Sequence, residues 1–455
     1  MSVRSGSGRR TKMSAVGTVL VLGAGMVARP LVRYLLDLGG VRVIVADLDV
    51  ERAQRLITDH PRGEARSLDA EDRGAMVSLV KDADVVVSIL PPAYLQRVAE
   101  LCVENGKHMV CTSYVDDALR ALDAPAREAG VLILTELGLD PGIDHMSAIS
   151  MIAREQEAGF KIVGFRSLCG ALPAPAAADN PFRYKFSWNP RGVLTASKRP
   201  ARYLENGQYV VIPGETLFEH YQLMEVENTG SFEYYPNHDA MCYRDIYGLG
   251  DVRTLYRGTL RYKGWCDTMK AIGRLGWLDE HHLEGVHGLR YMDVTAQLIG
   301  APAGADLTQR VAERLGLAST SPVIARLSWL GILGDVIVPE GAETPLDALC
   351  ALMVGRLAYS EGERDMVIMR HEIEVEHEGT CERVVATLVQ HGGPGGDTAI
   401  ARTVGLPAAI GVRLLLEGRL DLKGVHIPVT PEVYVPVLAE LDGLGIRFTE
   451  HRQEL

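Results

Sequence analysis

The stretch VLVLGAGMVARPLVRYLL, residues 19–36, constrains the fold of this chain most strongly. Four apolar residues run into a glycine turn, and a helical pattern of apolar positions follows directly. In a GxGxxA turn the first glycine makes a tight bend, the second lets backbone N–H groups approach a phosphate, and the alanine permits close helix–strand packing. The alternative is a simple packing bend between a buried strand and a helix. The pattern favours a dinucleotide site that includes Gly23, Ala24, Gly25, Met26, Val27 and Ala28.

An acidic residue ends the next apolar strand, VRVIVAD, about twenty residues after the glycines. A carboxylate at this place accepts hydrogen bonds from the adenosine ribose and repels a 2′-phosphate, so Asp47 predicts NAD in preference to NADP. Asp49 lies close by and leaves open which carboxylate has this role. Asp69 is a candidate for contact with the adenine edge or, equally, for a helix N-cap.

From residue 18 to about residue 137, near-continuous apolar strands alternate with amphipathic helical patterns. Such alternation indicates an α/β fold with a parallel, doubly wound sheet that is covered on both faces. Ligands bind at the carboxyl ends of the strands in such sheets. The fourth strand, ADVVVSIL, therefore adds three cofactor candidates at its carboxyl end, namely Ser88, Leu90 and Pro91.

Composition excludes several classes of function. The net charge of −12, without a Lys/Arg run after the first dozen residues, argues against nucleic acid as a partner. Seven cysteines without a CxxC pair indicate reduced thiols and a cytoplasmic protein. No apolar stretch approaches the length of a membrane span, so we expect no membrane partner. In HEIEVEHE the histidines and glutamates fall on opposite faces of a strand, so we expect no metal.

Three long motifs outside the glycine turn carry a family resemblance: ELGLDPGIDH (136–145), CGALPAPAAADNPFRYKFSW (169–188) and RGTLRY (257–262). With them, nearly the whole chain from Val19 resembles the glutamate-forming saccharopine dehydrogenases, also called saccharopine reductases. The resemblance implies an oxidoreductase of lysine metabolism. Such an enzyme interconverts saccharopine with L-glutamate and 2-aminoadipate 6-semialdehyde by hydride transfer to or from an imine. It also implies a homodimer and a nicotinamide cofactor, which is NAD if Asp47 has the predicted role and NADP otherwise.

The resemblance, together with the pattern of elements, divides the chain into parts. Residues 1–13 are basic and rich in Gly and Ser, and we expect a disordered leader. A Rossmann domain is expected at residues 14–140 and about 396–455. A mixed α/β domain for substrate and dimerisation is expected at 141–264 and about 335–395, with an all-helical domain at 265–334. Residues 365–392 predict a β-hairpin that turns near Gly379.

The resemblance also assigns site residues. Asp140, Tyr114 and Cys169 are the expected catalytic group, since a carboxylate near the nicotinamide stabilises an iminium ion. The alternative for Asp140 is a turn residue and that for Cys169 a small buried strand residue, while Tyr114 is expected to position other groups and not to transfer a proton. Further cofactor contacts are implied at Thr112, Leu139, Asp140 and Pro141. Saccharopine carries three carboxylates, and its implied contacts are Tyr114, Asp140, Arg183, Lys185, His238, Thr259, Leu260 and Arg261.

One residue departs from the family pattern. His238 in PNHDAM stands where the family leads us to expect arginine, and a histidine cannot form a bidentate fork with a carboxylate. This departure leaves open a related imine reductase that acts on a carboxylated polyamine. A protein that senses NAD without catalysis is the remaining alternative.

Overall fold

The computed structural model describes residues 16–455, so the expected leader at residues 1–13 lies outside the described residues. The described chain forms two compact units, residues 16–150 with 401–447 and residues 151–400 with 448–455. The strands, numbered along the chain, are β1 (Val16–Leu22), β2 (Gly40–Asp47), β3 (Gly63–Ser67), β4 (Val85–Ser88), β5 (His108–Cys111), β6 (Leu132–Leu134), β7 (Lys161–Pro173), β8 (Ala201–Glu205), β9 (Gln208–Ile212), β10 (Gln222–Val226), β11 (Gly230–Pro236), β12 (Thr254–Tyr262), β13 (Asp365–His377), β14 (Thr380–His391), β15 (Gly424–His426) and β16 (Thr449–Glu454).

The α-helices are α1 (Ala28–Asp37), α2 (Val50–Ile57), α3 (Arg73–Lys81), α4 (Leu95–Glu104), α5 (Asp117–Arg120), α6 (Asp123–Glu128), α7 (Ile143–Glu157), α8 (Pro190–Thr195), α9 (Tyr243–Ile246), α10 (Trp265–Arg274), α11 (Tyr291–Ile299), α12 (Leu307–Leu315), α13 (Pro322–Leu330), α14 (Pro345–Arg356), α15 (Ala399–Leu416) and α16 (Pro431–Gly443). Short 3-10 helices lie at Pro92–Tyr94, Pro175–Ala177, Ala196–Lys198 and Gly214–Glu219.

The first unit is built on a parallel sheet in the order β15-β6-β5-β4-β1-β2-β3. The register aligns Leu22 with both Ala46 and Ser88, and Ser88 with Cys111, so the carboxyl ends of these strands share one edge. Residues 19–22 of β1 and 85–87 of β4 are apolar and buried, as is typical of a sheet that is covered on both faces. The predicted α/β class is confirmed.

The second unit holds a mixed sheet in the order β10-β11-β12-β7-β13-β14-β16, with β8 and β9 attached beside β12. Strands β7 and β12 run parallel, while β13 and β14 form the predicted hairpin. Its turn residues Glu378 and Gly379 have φ of 50° and 86°, as a type I′ turn requires. In β13, His371 and Ile373 are buried while Glu372 and Glu374 are partly exposed, as the alternation predicts.

Two predicted boundaries are wrong. Strand β16 pairs with β14 in the second sheet, whereas residues 396–455 were expected in the first domain. The helices between residues 265 and 330 form no separate domain: Trp265, Ile272 and Leu327 share one apolar core with Phe232 and Tyr256 of the second sheet. These helices bury their apolar faces against the sheet because so short a segment encloses little core of its own.

Helix α15 corrects the expectation about apolar stretches. Its 18 residues have a mean hydropathy of 1.5 and are long and apolar enough to cross a membrane by those two measures. In the structure 78% of this helix is buried inside the protein. Burial of this kind accounts for the apolar composition of a core helix.

Candidate cofactor and substrate sites

The glycine turn has the geometry of a phosphate site. Gly23 has φ of 103°, and its N–H donates to the carbonyl oxygen of Ala46 at 2.8 Å. A Cβ at this position would meet the carbonyl oxygen of Ile89 at 3.2 Å, which explains the glycine. No side chain caps the start of α1 at Val27, and the positive end of a helix dipole favours a negatively charged ligand at such a place.

The space over the turn is open at the second glycine. A Cβ on Gly25 would meet no atom within 4 Å, so a ligand can approach the backbone there. Ala28 is fully buried and so meets the need for a small side chain between helix and strand. These residues fit the pyrophosphate of a dinucleotide.

We expect Gly25→Ala to weaken binding of NADH by about tenfold or more, because the methyl group takes the space that a pyrophosphate needs. The free energy of unfolding should stay within about 0.5 kcal/mol of the original, since the new Cβ meets no protein atom. Calorimetry and urea unfolding measure the two quantities. Gly23→Ala is the contrasting variant and should also destabilise the fold, because its backbone is left-handed. If the Gly25 variant binds NADH with unchanged affinity, the glycine turn does not bind the cofactor.

Two acidic residues at the carboxyl end of β2, the last strand residue Asp47 and the nearby Asp49, have different roles. Asp47 accepts hydrogen bonds from the N–H of Ala24 at 2.7 Å and from the N–H of Asp49 at 2.9 Å. Asp49 instead caps α2 by accepting from the N–H groups of Glu51 and Arg52. Asp47 therefore faces the glycine turn and is the stronger candidate for the ribose. Asp69, two residues after β3, accepts from the N–H of Glu71 at 2.9 Å, which is a local turn contact.

The remaining cofactor candidates lie at the same edge of the first sheet. Ser88 is the last residue of β4 and is buried, and Leu90 and Pro91 follow it. Thr112 follows β5. Leu139, which is buried, and Pro141 lie in the segment between β6 and α7.

Tyr114 and Asp140 are brought together by the segments that follow β5 and β6. The Tyr114 hydroxyl donates to Asp140 Oδ1 at 2.7 Å, and Tyr114 is 38% exposed. Asp140 is joined to Pro141 by a cis peptide bond. A phenol that is hydrogen-bonded to a carboxylate can hold a proton at a fixed position and pass it on. The predicted imine chemistry requires such a group.

The structure gives Arg261 an uncommon environment on β12. Its side chain is 3% exposed, and the guanidinium lies 5.1 Å from the ring centre of Tyr184 and 5.5 Å from that of Trp265. One Nη donates to the carbonyl oxygen of Leu260 at 2.8 Å. Within residues 16–455, neither Arg261 Nε nor the indole N–H of Trp265 has a hydrogen-bond acceptor.

No carboxylate is paired with Arg261 in the part of the chain that the structure describes. The ionisable groups that act on it most strongly are tyrosines and cysteines. Its register neighbour on β11, Glu233, instead accepts from the N–H groups of Gly264 and Cys266, and burial raises the pKa of Glu233. A buried cation without a counter-ion is costly, so Arg261 marks a site for an anionic group of a ligand.

Cys169 and Thr259 lie on the same face of the second sheet as Arg261. Thr259 is aligned with Cys169 of the parallel strand β7, and Arg261 follows Thr259 by two residues on β12. Leu260 points to the opposite face, where its fully buried side chain joins the core. The side chain of Leu260 is therefore directed away from Arg261, and only its carbonyl group, which accepts from Arg261, lies at the expected substrate contact.

The other predicted cations differ from Arg261. Lys185 is buried, but its Nζ lies 2.9 Å from Asp179 and 2.5 Å from Glu363, so its charge is already neutralised. Arg183 is exposed and lies 4.3 Å over the ring of Tyr262.

His238 stands on an irregular segment, with φ of 58°. Its Nδ1 accepts from the N–H of Asp239 at 2.7 Å. Partial burial is the main cause that lowers the pKa of the imidazole, and nearby arginines lower it further. A neutral imidazole with one nitrogen already occupied is a weak anion ligand.

The aromatic rings beside Arg261 were not predicted from the sequence. Tyr184 and Trp265 belong to YKFSW and KGWC, and their closeness to a cation in sequence is the one signal that indicates them. The buried polar residues Glu136 and His145, on either side of Asp140 in sequence, were not predicted either. Glu136 and His145 both lie within the motif ELGLDPGIDH, but the local sequence pattern does not predict that they are buried.

Comparison with known proteins places this chain among characterised relatives. Residues 19–134 match the saccharopine dehydrogenase NADP binding domain, and residues 138–446 match the saccharopine dehydrogenase C-terminal domain. The saccharopine dehydrogenase [NADP(+), L-glutamate-forming] of Schizosaccharomyces pombe is 35% identical, with 95% of this chain and 98% of that protein covered.

Two further comparisons agree. An alpha-aminoadipic semialdehyde synthase of Arabidopsis thaliana is 36% identical over 97% of this chain, which spans only 45% of that longer protein. The solved structure of apo histidine-tagged saccharopine dehydrogenase (L-Glu forming) from Saccharomyces cerevisiae superposes with a TM-score of 0.87. It shares 33% identity with this chain, and the match covers 96% of this chain and all of that one.

Proposed function

The chain belongs to the saccharopine dehydrogenase family, and from this premise we propose that it interconverts saccharopine with L-glutamate and 2-aminoadipate 6-semialdehyde. The reaction is an oxidoreduction at a carbon–nitrogen bond, for which the nicotinamide cofactor supplies or takes up the hydride. The glycine turn and α1 bind the pyrophosphate, and Asp47 binds the ribose. The Tyr114–Asp140 pair holds the proton that the amine nitrogen or water exchanges, and its carboxylate stabilises positive charge on the imine.

The observation that carries the choice of substrate is the buried guanidinium of Arg261. It has aromatic rings around it and no carboxylate partner within the described residues, so it is ready to receive a carboxylate of the substrate. A polyamine substrate would bring additional positive charge toward this buried cation. Arg261 therefore favours saccharopine over the carboxylated polyamine that His238 left open.

We infer that this chain prefers NAD, although the names of its fungal relatives specify NADP(+). Asp47 places a carboxylate against the glycine turn at the end of β2, where a 2′-phosphate would meet like charge. Residues 47–51, DLDVE, contain no lysine or arginine to bind such a phosphate. The next arginine is Arg52. Its Nε lies 3.2 Å from Asp49 Oδ2, so this arginine already has a carboxylate partner.

The proposed function is tested by following oxidation of NADH with L-glutamate and 2-aminoadipate 6-semialdehyde, and separately with NADPH. A carboxylated polyamine precursor in place of these substrates is the control. We expect turnover with the first pair, faster with NADH, and little with the polyamine precursor. Turnover with the polyamine precursor alone, or dinucleotide binding without turnover of either, would contradict the proposal.

A further inference from the structure

We propose that Glu136 and His145 are positioning residues that hold the segment bearing Tyr114 against the segment bearing Asp140, and thereby control the rate of the chemical step. This inference rests on the proposed function, because it concerns the same proton-handling pair. Neither residue is among the predicted site residues.

Glu136 links two segments through one buried carboxylate. Its side chain is 3% exposed, and Oε1 accepts a hydrogen bond from the N–H of Val115 at 2.9 Å. Oε2 lies 2.8 Å from Nε2 of His145, which is fully buried. The backbone N–H of Glu136 also donates to the carbonyl oxygen of Ser113 at 3.1 Å. The residues on both sides of Tyr114 are thus bonded to Glu136.

His145 extends this link to the segment that carries Asp140. Its imidazole lies between Glu136 and Asp144, with Nδ1 3.6 Å from Asp144 Oδ2. Asp144 in turn accepts from the N–H of Gly142 at 2.6 Å, two residues after Asp140. Glu136, His145 and Asp144 therefore connect both ends of the Tyr114–Asp140 hydrogen bond. We refer to these three residues as the buried brace.

The backbone around the brace is tightly constrained. Gly142 has φ of 144°, and a Cβ there would lie 2.1 Å from the carbonyl oxygen of Gly138, so only glycine fits. Glu136 itself has φ of 57°, a left-handed conformation that non-glycine residues seldom adopt. Strain of this kind persists where the surroundings over-determine it, and it is concentrated at functional sites.

Charge and burial distinguish this arrangement from ordinary packing. Apolar residues of similar volume often give equal or greater stability than a buried ionic group, so stability alone is a weak reason for two carboxylates and an imidazole here. Geometry is a stronger reason, because a misplacement of about 1 Å in a reacting group can cost about 100-fold in rate. The brace supplies this geometry to groups on two separate segments.

The test uses two variants of Glu136 in the full chain. Glu136→Ala removes both contacts and should lower kcat about 100-fold, with KM for NADH within about twofold. Glu136→Gln keeps an oxygen for the N–H of Val115 and removes the charge beside His145, so it should recover part of this loss. The isotope effect on kcat with NADH deuterated at the transferred position should rise in both variants, because the chemical step becomes slower.

A matched control lies in the same unit. Tyr34→Phe removes two hydrogen bonds of the partly buried Tyr34 hydroxyl, which donates to Glu440 at 2.5 Å between α1 and α16 and accepts from Arg413 Nε at 2.9 Å. It should lower the unfolding midpoint, as Glu136→Ala does, but leave kcat unchanged. Equal kcat losses in Tyr34→Phe and Glu136→Ala would overturn the inference, as would an unchanged kcat in both Glu136 variants.

Amide hydrogen exchange gives a readout that needs no turnover. The Val115 amide should exchange faster in Glu136→Ala than in the original protein and be restored in Glu136→Gln. Unchanged exchange at Val115 in Glu136→Ala would overturn the brace. A protein that shows no saccharopine turnover while Val115 responds as expected would instead contradict the proposed function, so the two failures are distinguishable.

Discussion

Replacing Arg261 by methionine should lower kcat/KM for the amino-acid substrate while leaving the fold as stable as before or more stable. Losing a buried charge-assisted contact with a substrate carboxylate costs about 2–5 kcal/mol, which corresponds to about 30-fold or more in kcat/KM. The free energy of unfolding should be unchanged or rise by about 1–4 kcal/mol, because Arg261 has no carboxylate partner among the residues described. Steady-state kinetics and urea unfolding measure the two effects.

Lys185→Met is the matched control for this prediction. Lys185 is also a buried cation, but it contacts Asp179 and Glu363, so its removal leaves Glu363 without its partner. We expect Lys185→Met to lower the free energy of unfolding by about 1–3 kcal/mol. An Arg261 variant that loses stability in the same way, or that raises KM for NADH as much as KM for the amino acid, would show that Arg261 is structural.

Replacing Asp47 by asparagine should lower the preference for NADH over NADPH by about 100-fold. The reason is that the Asp47 carboxylate and the 2′-phosphate of NADPH carry like charges, whose direct juxtaposition costs several kcal/mol. The amide oxygen of the new residue can still accept from the N–H of Ala24, so the glycine turn should keep its shape, while the exposed N–H of Asp49 loses its acceptor. The measurement is the ratio of kcat/KM for NADH to that for NADPH.

Asp49→Asn provides the charge-matched comparison. Asp49 caps α2, and asparagine is an equally good N-cap, so neither stability nor cofactor preference should change much. A similar shift in both variants would assign selectivity to the general acidity of this edge and not to Asp47. An original protein that turns over faster with NADPH would contradict the proposed NAD preference outright.

The features predicted correctly from sequence depend on neighbours along the chain. The strand, glycine turn and helix at residues 19–36 are contiguous, so periodicity and turn chemistry were enough to locate Gly23 and Gly25. The hairpin around Gly379 was predictable for the same reason, because its strands are joined by two turn residues. The long motifs beyond the turn were sufficient to indicate the family.

The wrong predictions concern partners distant in sequence. Strand β16 joins β14 across about sixty residues, and no local pattern indicates which sheet a short polar strand will join. The helices after Trp265 share a core with strands that precede and follow them. Their apolar faces are visible in the sequence, but the surface that covers those faces is not.

The sequence alone indicates the nucleotide-binding fold at the start of the chain and the family to which the chain belongs. Both depend on motifs of contiguous residues. The sequence does not distinguish Arg261 from Lys185, two cations in aromatic-rich segments. Folding does so, because it brings Glu363 to Lys185 from 178 residues away and leaves Arg261 with aromatic rings as its neighbours. The free energy of a buried charge depends on what surrounds it in space, and three-dimensional packing selects which cation is left to bind a ligand.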